Sequence, residues 1–132
     1  MELKTDEINH PVYYAETNLS YKQPECIDLT RLLPFCVGNA IKYVWRAGHK
    51  GAAWQEDLKK AKWYYRDRGC STTFEQQEQA LALLELYDFD GMDDEWLLKI
   101  KIIRHIITRP LVNEVIEKEF HDLADYFTEQ GM

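Results

Sequence analysis

From Pro34 to Ala47 the apolar residues Val37, Ala40, Ile41, Val44 and Ala47 recur at the three- and four-residue spacing of one helix face. Asn39, Lys42, Tyr43 and Arg46 recur on the other side. The pattern predicts an amphipathic helix closed by Gly48, a residue suited to a left-handed C-cap, with Gly48-His49-Lys50-Gly51 as the turn to the next element. That element, over Trp54 to Arg68, directs Trp54, Leu58, Ala61 and Tyr65 inward and places Asp57, Lys60 and Tyr64 on a different face, before Gly69 stops it. Upstream, Pro24 suits a first helical turn, and a short helix from Pro24 to Leu33 groups Cys26, Leu29 and Leu33 with Glu25 and Asp28 along one edge; Pro34 ends it. Residues 1–23 lack sustained periodicity and contain Pro11, Asn18 and Ser20, so they read as an irregular arm.

The second half is simpler. Ser71 or Thr72 can cap a helix carrying Ala80, Leu83, Leu84 and Tyr87, and Phe89-Asp90-Gly91 reads as a turn. Asp93 or Asp94 opens a helix with a narrow stripe of Trp96, Ile100, Ile103 and Ile107. Pro110 fits the start of a last helix with Val112, Val115, Ile116, Phe120, Leu123 and Phe127 inward. The expected fold is all-α, a compact bundle of about six helices with an irregular N-terminal arm. No repeat or low-complexity segment interrupts it.

The chain's 132 residues suffice for a modest core without metals or disulfides. A formal net charge of -7 argues against a general nucleic-acid coat, because phosphate binding needs concentrated positive charge. Yet Lys42, Arg46, Lys50, Lys59, Lys60, Lys62, Arg66 and Arg68 crowd into one segment of this acidic chain, which marks the place to look for an anion. Cys26, Cys36 and Cys70 show neither CxxC nor zinc-finger spacing and read as buried or incidental thiols. The polar N-terminus lacks a signal-peptide core and no stretch has bilayer-spanning length, so the expectation is a soluble, cytoplasmic protein without a membrane partner. Four Trp, eight Tyr and five Phe favour a homo-oligomer.

Nucleotide motifs are the first test of the basic segment. There is no GxxxxGK[ST], and Gly48-His49-Lys50-Gly51 lacks its spacing and preceding strand, so a P-loop is excluded. GxGxxG, HExxH, GxSxG and EF-hand patterns are also absent. Any chemistry must come from side chains gathered on helices. The Asn39/Lys42/Tyr43/Arg46 stripe reads either as a solvated helix face or as the holder of a phosphorylated ligand, with charge-assisted donors, a bifunctional amide and a stacking ring. Glu25, Asp28 and Asp57 read either as helix-start acids favoured by the macrodipole or as Mg2+ contacts. His10 and His49 are acid/base or phosphate-contacting groups, or simply loop residues. Tyr13, Tyr14 and Tyr21 either stack on a nucleobase or pin the arm to the core.

Several blocks occur in order: Ile8-Asn9-His10-Pro11, Glu25-Cys26-Ile27-Asp28, Phe35 through Gly48, and Asp57-Leu58-Lys59-Lys60-Ala61-Lys62-Trp63-Tyr64. Together, over roughly residues 8 to 68, they resemble the small helical SaV-like family of phages and prophages that carries the label of phage nucleotide kinase, the T7-type enzyme among its members. The family pattern has a second His before a Tyr in the arm, where this chain has Tyr13-Tyr14. The resemblance implies a core over residues 1–69 and a helical extension over 70–132 that packs on the core, mediates assembly or meets a partner. It implies a nucleotide-binding protein, a nucleoside monophosphate kinase without a P-loop that uses ATP and Mg2+. Lys42, Arg46 and Asp57 would be catalytic, His10, Asn39, Tyr43 and Lys60 would bind substrate, and Glu25 and Asp28 would hold metal. Two other readings stand beside it: an all-α Mg2+-dependent nucleoside triphosphate pyrophosphohydrolase, and a non-catalytic phage inhibitor of host defence that sequesters a nucleotide signal or binds a host protein.

Overall fold

The computed structural model describes residues 24–49, 53–66, 71–109 and 113–132. Among them the chain forms six α-helices, one 3-10 turn and no strand, so the all-α expectation holds. The helices are α1 Cys26–Thr30, α2 Phe35–Arg46, α3 Trp54–Tyr65, α4 Phe74–Leu84, α5 Asp94–Thr108 and α6 Asn113–Glu129, with the turn Phe89–Gly91 between α4 and α5. The irregular arm of residues 1–23 lies outside the described residues.

α1 is shorter than the periodicity predicts. Its start is fixed by a reciprocal cap: Glu25 accepts at its side chain from the backbone of Asp28, and Glu25 N–H donates to Asp28 Oδ2 at 2.9 Å. Pro24 therefore precedes the helix instead of occupying its first turn. Past Thr30, turn-type bonds from Leu32 and Leu33 to Leu29 and Thr30 carbonyls close the chain toward Pro34, the N-cap of α2. Where α1 meets α2, a Cβ on Gly38 would stand 3.3 Å from Thr30 Cβ, so the absent side chain permits the close approach.

α2 is central. Val37, Ala40, Ile41 and Val44 are wholly buried, and full burial of a side chain of Val or Ile size contributes about 1.5–3 kcal/mol. α2 packs on α1, α3 and α5, α5 packs on α4 and α6, and α3 touches α6. One continuous core runs from Leu29 through Val44 and Tyr65 to Ile103 and Phe127, so residues before and after position 70 share it. Gly48 adopts φ +84°, the left-handed turn its position predicts, and a Cβ there would lie 2.6 Å from Phe127 Cε1.

Four local expectations change. α3 ends at Tyr65, with Arg66 already in the following turn, and Trp54 is only half-buried, its ring 5.3 Å from that of Phe127. The cap of α4 is Thr73, which accepts from Gln76 N–H while Gln76 reaches back; Thr72 instead donates to the Ile107 carbonyl oxygen. In α5 the buried face is broad and includes Lys99, Ile102 and Ile106 besides Ile100, Ile103 and Ile107. In α6, Ile116, Phe120, Leu123 and Phe127 turn inward as expected, but Val115 is exposed, and Val112 lies outside the described residues. No described helix is long and apolar enough to cross a membrane.

Candidate functional site

The polar face of α2 meets α3 through two tyrosines. Tyr43 and Tyr64 stack with ring centroids 5.9 Å apart and planes 11° from parallel. Lys42 Nζ stands 4.7 Å from the centre of the Tyr43 ring, Lys60 Nζ 5.4 Å and Arg46 Cζ 5.9 Å, all within cation–π range. Lys42 and Lys60 form no ion pair with a described residue. Three cations with two unneutralised thus converge on one ring of an acidic protein, which concentrates positive potential there. Asn39 lies one turn before Tyr43 on α2 and is half-buried.

Arg46 makes its ion pair across the helix interface, with Nε 3.5 Å from Asp57 Oδ1. Asp57 is only 2% exposed, whereas Arg46 is more than half exposed. Asp57 Oδ2 is buried with no hydrogen-bond partner among the described residues. A buried acceptor left this way costs about 1–3 kcal/mol and is a group the fold itself does not use.

Glu25 and Asp28 sit elsewhere, locked into the α1 cap beside Cys26 and Tyr87. Burial pushes the Cys26 thiol up to about 11, with the Lys42 charge pulling the other way. Burial likewise raises Tyr87, helped by negative charge at Cys26, Asp28 and Glu25; its hydroxyl donates to the Pro24 carbonyl oxygen. Among the described residues no three His, Cys, Asp or Glu side chains come together as a metal-binding group. His49 lies in the turn after α2, its ring 6.1 Å from that of Trp96. His10 and the arm tyrosines fall outside the described residues.

The residue that periodicity missed is Lys99. It is fully buried on α5, and its ammonium donates to the carbonyl oxygens of Trp45, at 2.9 Å, and Ala47, at 2.7 Å, while pairing with Glu95 Oε2 at 2.9 Å. Three donors meet three acceptors, and two of those are the orphan carbonyls at the negative end of α2. Burial lowers the Lys99 pKa, opposed by its bond to Glu95 and by Glu95, Asp93 and Asp57 charge. The signal lay in the pattern: Lys99 falls within the apolar face of α5, four residues after Glu95.

With this geometry in view, one family model matches. Residues 8–66 fit a family described as a protein of unknown function, DUF3310. Every candidate residue from His10 to Lys60 falls inside the matched segment, while Lys99 and the rest of α4 to α6 lie beyond it. No curated protein and no solved structure matches the chain.

A second concavity has the opposite charge. A cavity of about 420 Å³ between α5 and α6 is lined by Asp94, Leu97, Leu98, Asp122, Asp125, Tyr126 and Glu129. Its carboxylates repel anions, so this concavity and the Tyr43 face offer a phosphate very different fields.

Proposed function

We propose that the Tyr43 face binds a phosphorylated nucleotide and that the protein acts as a nucleoside monophosphate kinase without a P-loop. The observation that carries the reading is the convergence of Lys42, Arg46 and Lys60 on one stacked tyrosine. Phosphoryl transfer asks mainly for positioning and for neutralisation of charge on phosphate oxygens, which three cations on two packed helices supply. Asp57 engages Arg46 through Nε, which leaves the two Nη groups for a phosphate, the bidentate geometry in which guanidinium surpasses ammonium. Asn39, one turn earlier, would orient the ligand. Mg2+ would enter with the phosphates of ATP instead of resting on a protein cage.

The test is incubation with Mg2+-ATP and each deoxynucleoside monophosphate, with products identified and binding measured by calorimetry. Formation of nucleoside diphosphate and ADP, lost in Lys42→Ala and Arg46→Ala, is the expected result. Nucleoside monophosphate and pyrophosphate from a triphosphate alone would point to hydrolysis. Turnover indifferent to both substitutions would move the site elsewhere.

A further inference from the structure

Beyond the cations the aromatic strip continues into solvent. Phe35, the first residue of α2, and Trp63, in the last turn of α3, both meet Tyr64 edge-on, with centroids 6.2 and 5.0 Å away and planes at 82° and 87°. Phe35 is 72% exposed and Trp63 66%. Tyr64 lies flat on Tyr43, so four rings run without a break to Lys42, Lys60 and Arg46. Phe35 and Trp63 make no ring contact with each other and offer separate surfaces.

Large rings kept in water on a strip that leads to three cations, two of them unpaired among the described residues, suit a ligand that is flat and apolar at some points and anionic at others. A mononucleotide carries one base and covers one such ring. We infer that this face takes a ligand with two nucleobases joined through phosphates: the phosphates lie against Lys42, Lys60 and Arg46, and the bases stack on Phe35 and Trp63. The inference rests on the nucleotide reading of the Tyr43 face and deepens it by assigning Phe35 and Trp63 as the rings on which two bases stack. Such chemistry has two sources, a dinucleoside polyphosphate, equivalent to two nucleotides meeting phosphate to phosphate, and a short single strand. The local extent of the cation cluster and the net charge of -7 restrict a strand to a few nucleotides.

The experiment titrates the full chain with inorganic triphosphate, ATP, diadenosine tetraphosphate and the single-stranded dinucleotide of thymidylate at fixed ionic strength. One two-base ligand should bind at least about 10-fold tighter than ATP, and which one gains names the source. Phe35→Ala and Trp63→Ala should each weaken that ligand by roughly 5- to 150-fold, the worth of one stacked base, and leave triphosphate binding unchanged. Trp63→Tyr, which keeps a ring, should retain most of the affinity. No gain of either two-base ligand over ATP overturns the inference, as does a loss confined to only one of the two alanine variants. If ATP and triphosphate bind in a Lys42-dependent way without that gain, only the two-base inference falls. If neither binds, the nucleotide reading falls with it.

Discussion

Lys99 on α5 places its ammonium 2.7 Å from the carbonyl oxygen of Ala47, the residue that closes α2. One cation from the second half of the chain thereby caps the helix that carries Lys42, Tyr43 and Arg46. Lys99→Met keeps the aliphatic volume but strips partners from Trp45 O, Ala47 O and Glu95. A loss of roughly 2–4 kcal/mol is expected in denaturant unfolding, because the remaining buried polar groups go unpaired. Glu95, partly exposed, can rehydrate, so Glu95→Gln should cost about 1 kcal/mol. Equal stability of Lys99→Met and the parent chain would show that the cap contributes nothing.

Gly48 and Gly131 make an internal comparison. Both have positive φ, +84° and +79°, but a Cβ at Gly48 would strike Phe127 at 2.6 Å and one at Gly131 meets nothing within 4 Å. Gly131→Ala should cost about 1 kcal/mol, the backbone strain alone, and Gly48→Ala roughly 2–4 kcal/mol because Phe127 must also shift. Matching losses in thermal unfolding would deny the Phe127 contact any weight.

Alkaline pH offers a test of the buried thiol. The fold holds Cys26 neutral, with its titration moved from 9.0 to about 11 by burial. Below pH 9 the thiol is protonated in both states and its contribution is intact. Between pH 9 and 11 the unfolded chain releases the proton first, so stability falls as pH rises, by roughly 2 kcal/mol in all. Tyr87, also raised by burial, adds its own loss above pH 10. Cys26→Ala should flatten the first part of this decline, and Tyr87→Phe the second, when urea midpoints are compared at pH 8, 9, 10 and 11.

Local punctuation was the most legible part of the sequence. Pro34 before α2, Gly48 after it and Asp93 before α5 each act within one turn of the chain, so residue type and position suffice to place them. The burial of Asp57 was not legible. Periodicity groups it with Lys60 and Tyr64, yet the structure sends Asp57 into the α2–α3 interface, leaves Lys60 exposed and stacks Tyr64 on Tyr43. These outcomes depend on what α2 presents across the gap, which one helix's spacing does not contain. Lys99 escaped for a related reason: a lysine amid isoleucines is explained only by carbonyls more than fifty residues away.

Arg46 and Asp57 separate stability from function. Arg46→Met leaves a nearly inaccessible carboxylate without its counter-charge and should destabilise the fold by roughly 2–4 kcal/mol. Adding Asp57→Asn removes the stranded charge, so the double variant should recover most of that loss in denaturant melts. Anion affinity should stay low in both, because the guanidinium is missing in each. Recovery of stability and affinity together would mean that Arg46 acts on the ligand only by holding the fold.

Lys42 and Lys60 provide the complementary case, since both are exposed and neither makes an ion pair with a described residue. Changing either to Ala should move stability by no more than about 0.5 kcal/mol. The same changes should each weaken triphosphate binding by about 5- to 10-fold at low salt, and by less at 0.5 M salt, where screening shrinks the field of a surface charge. Lys118 on α6, exposed and paired with Asp122 at 3.0 Å, is the control: Lys118→Ala removes an equal charge away from Tyr43. If Lys118→Ala reduced affinity as much as Lys42→Ala, the anion would be responding to net charge and not to the three cations gathered on one ring.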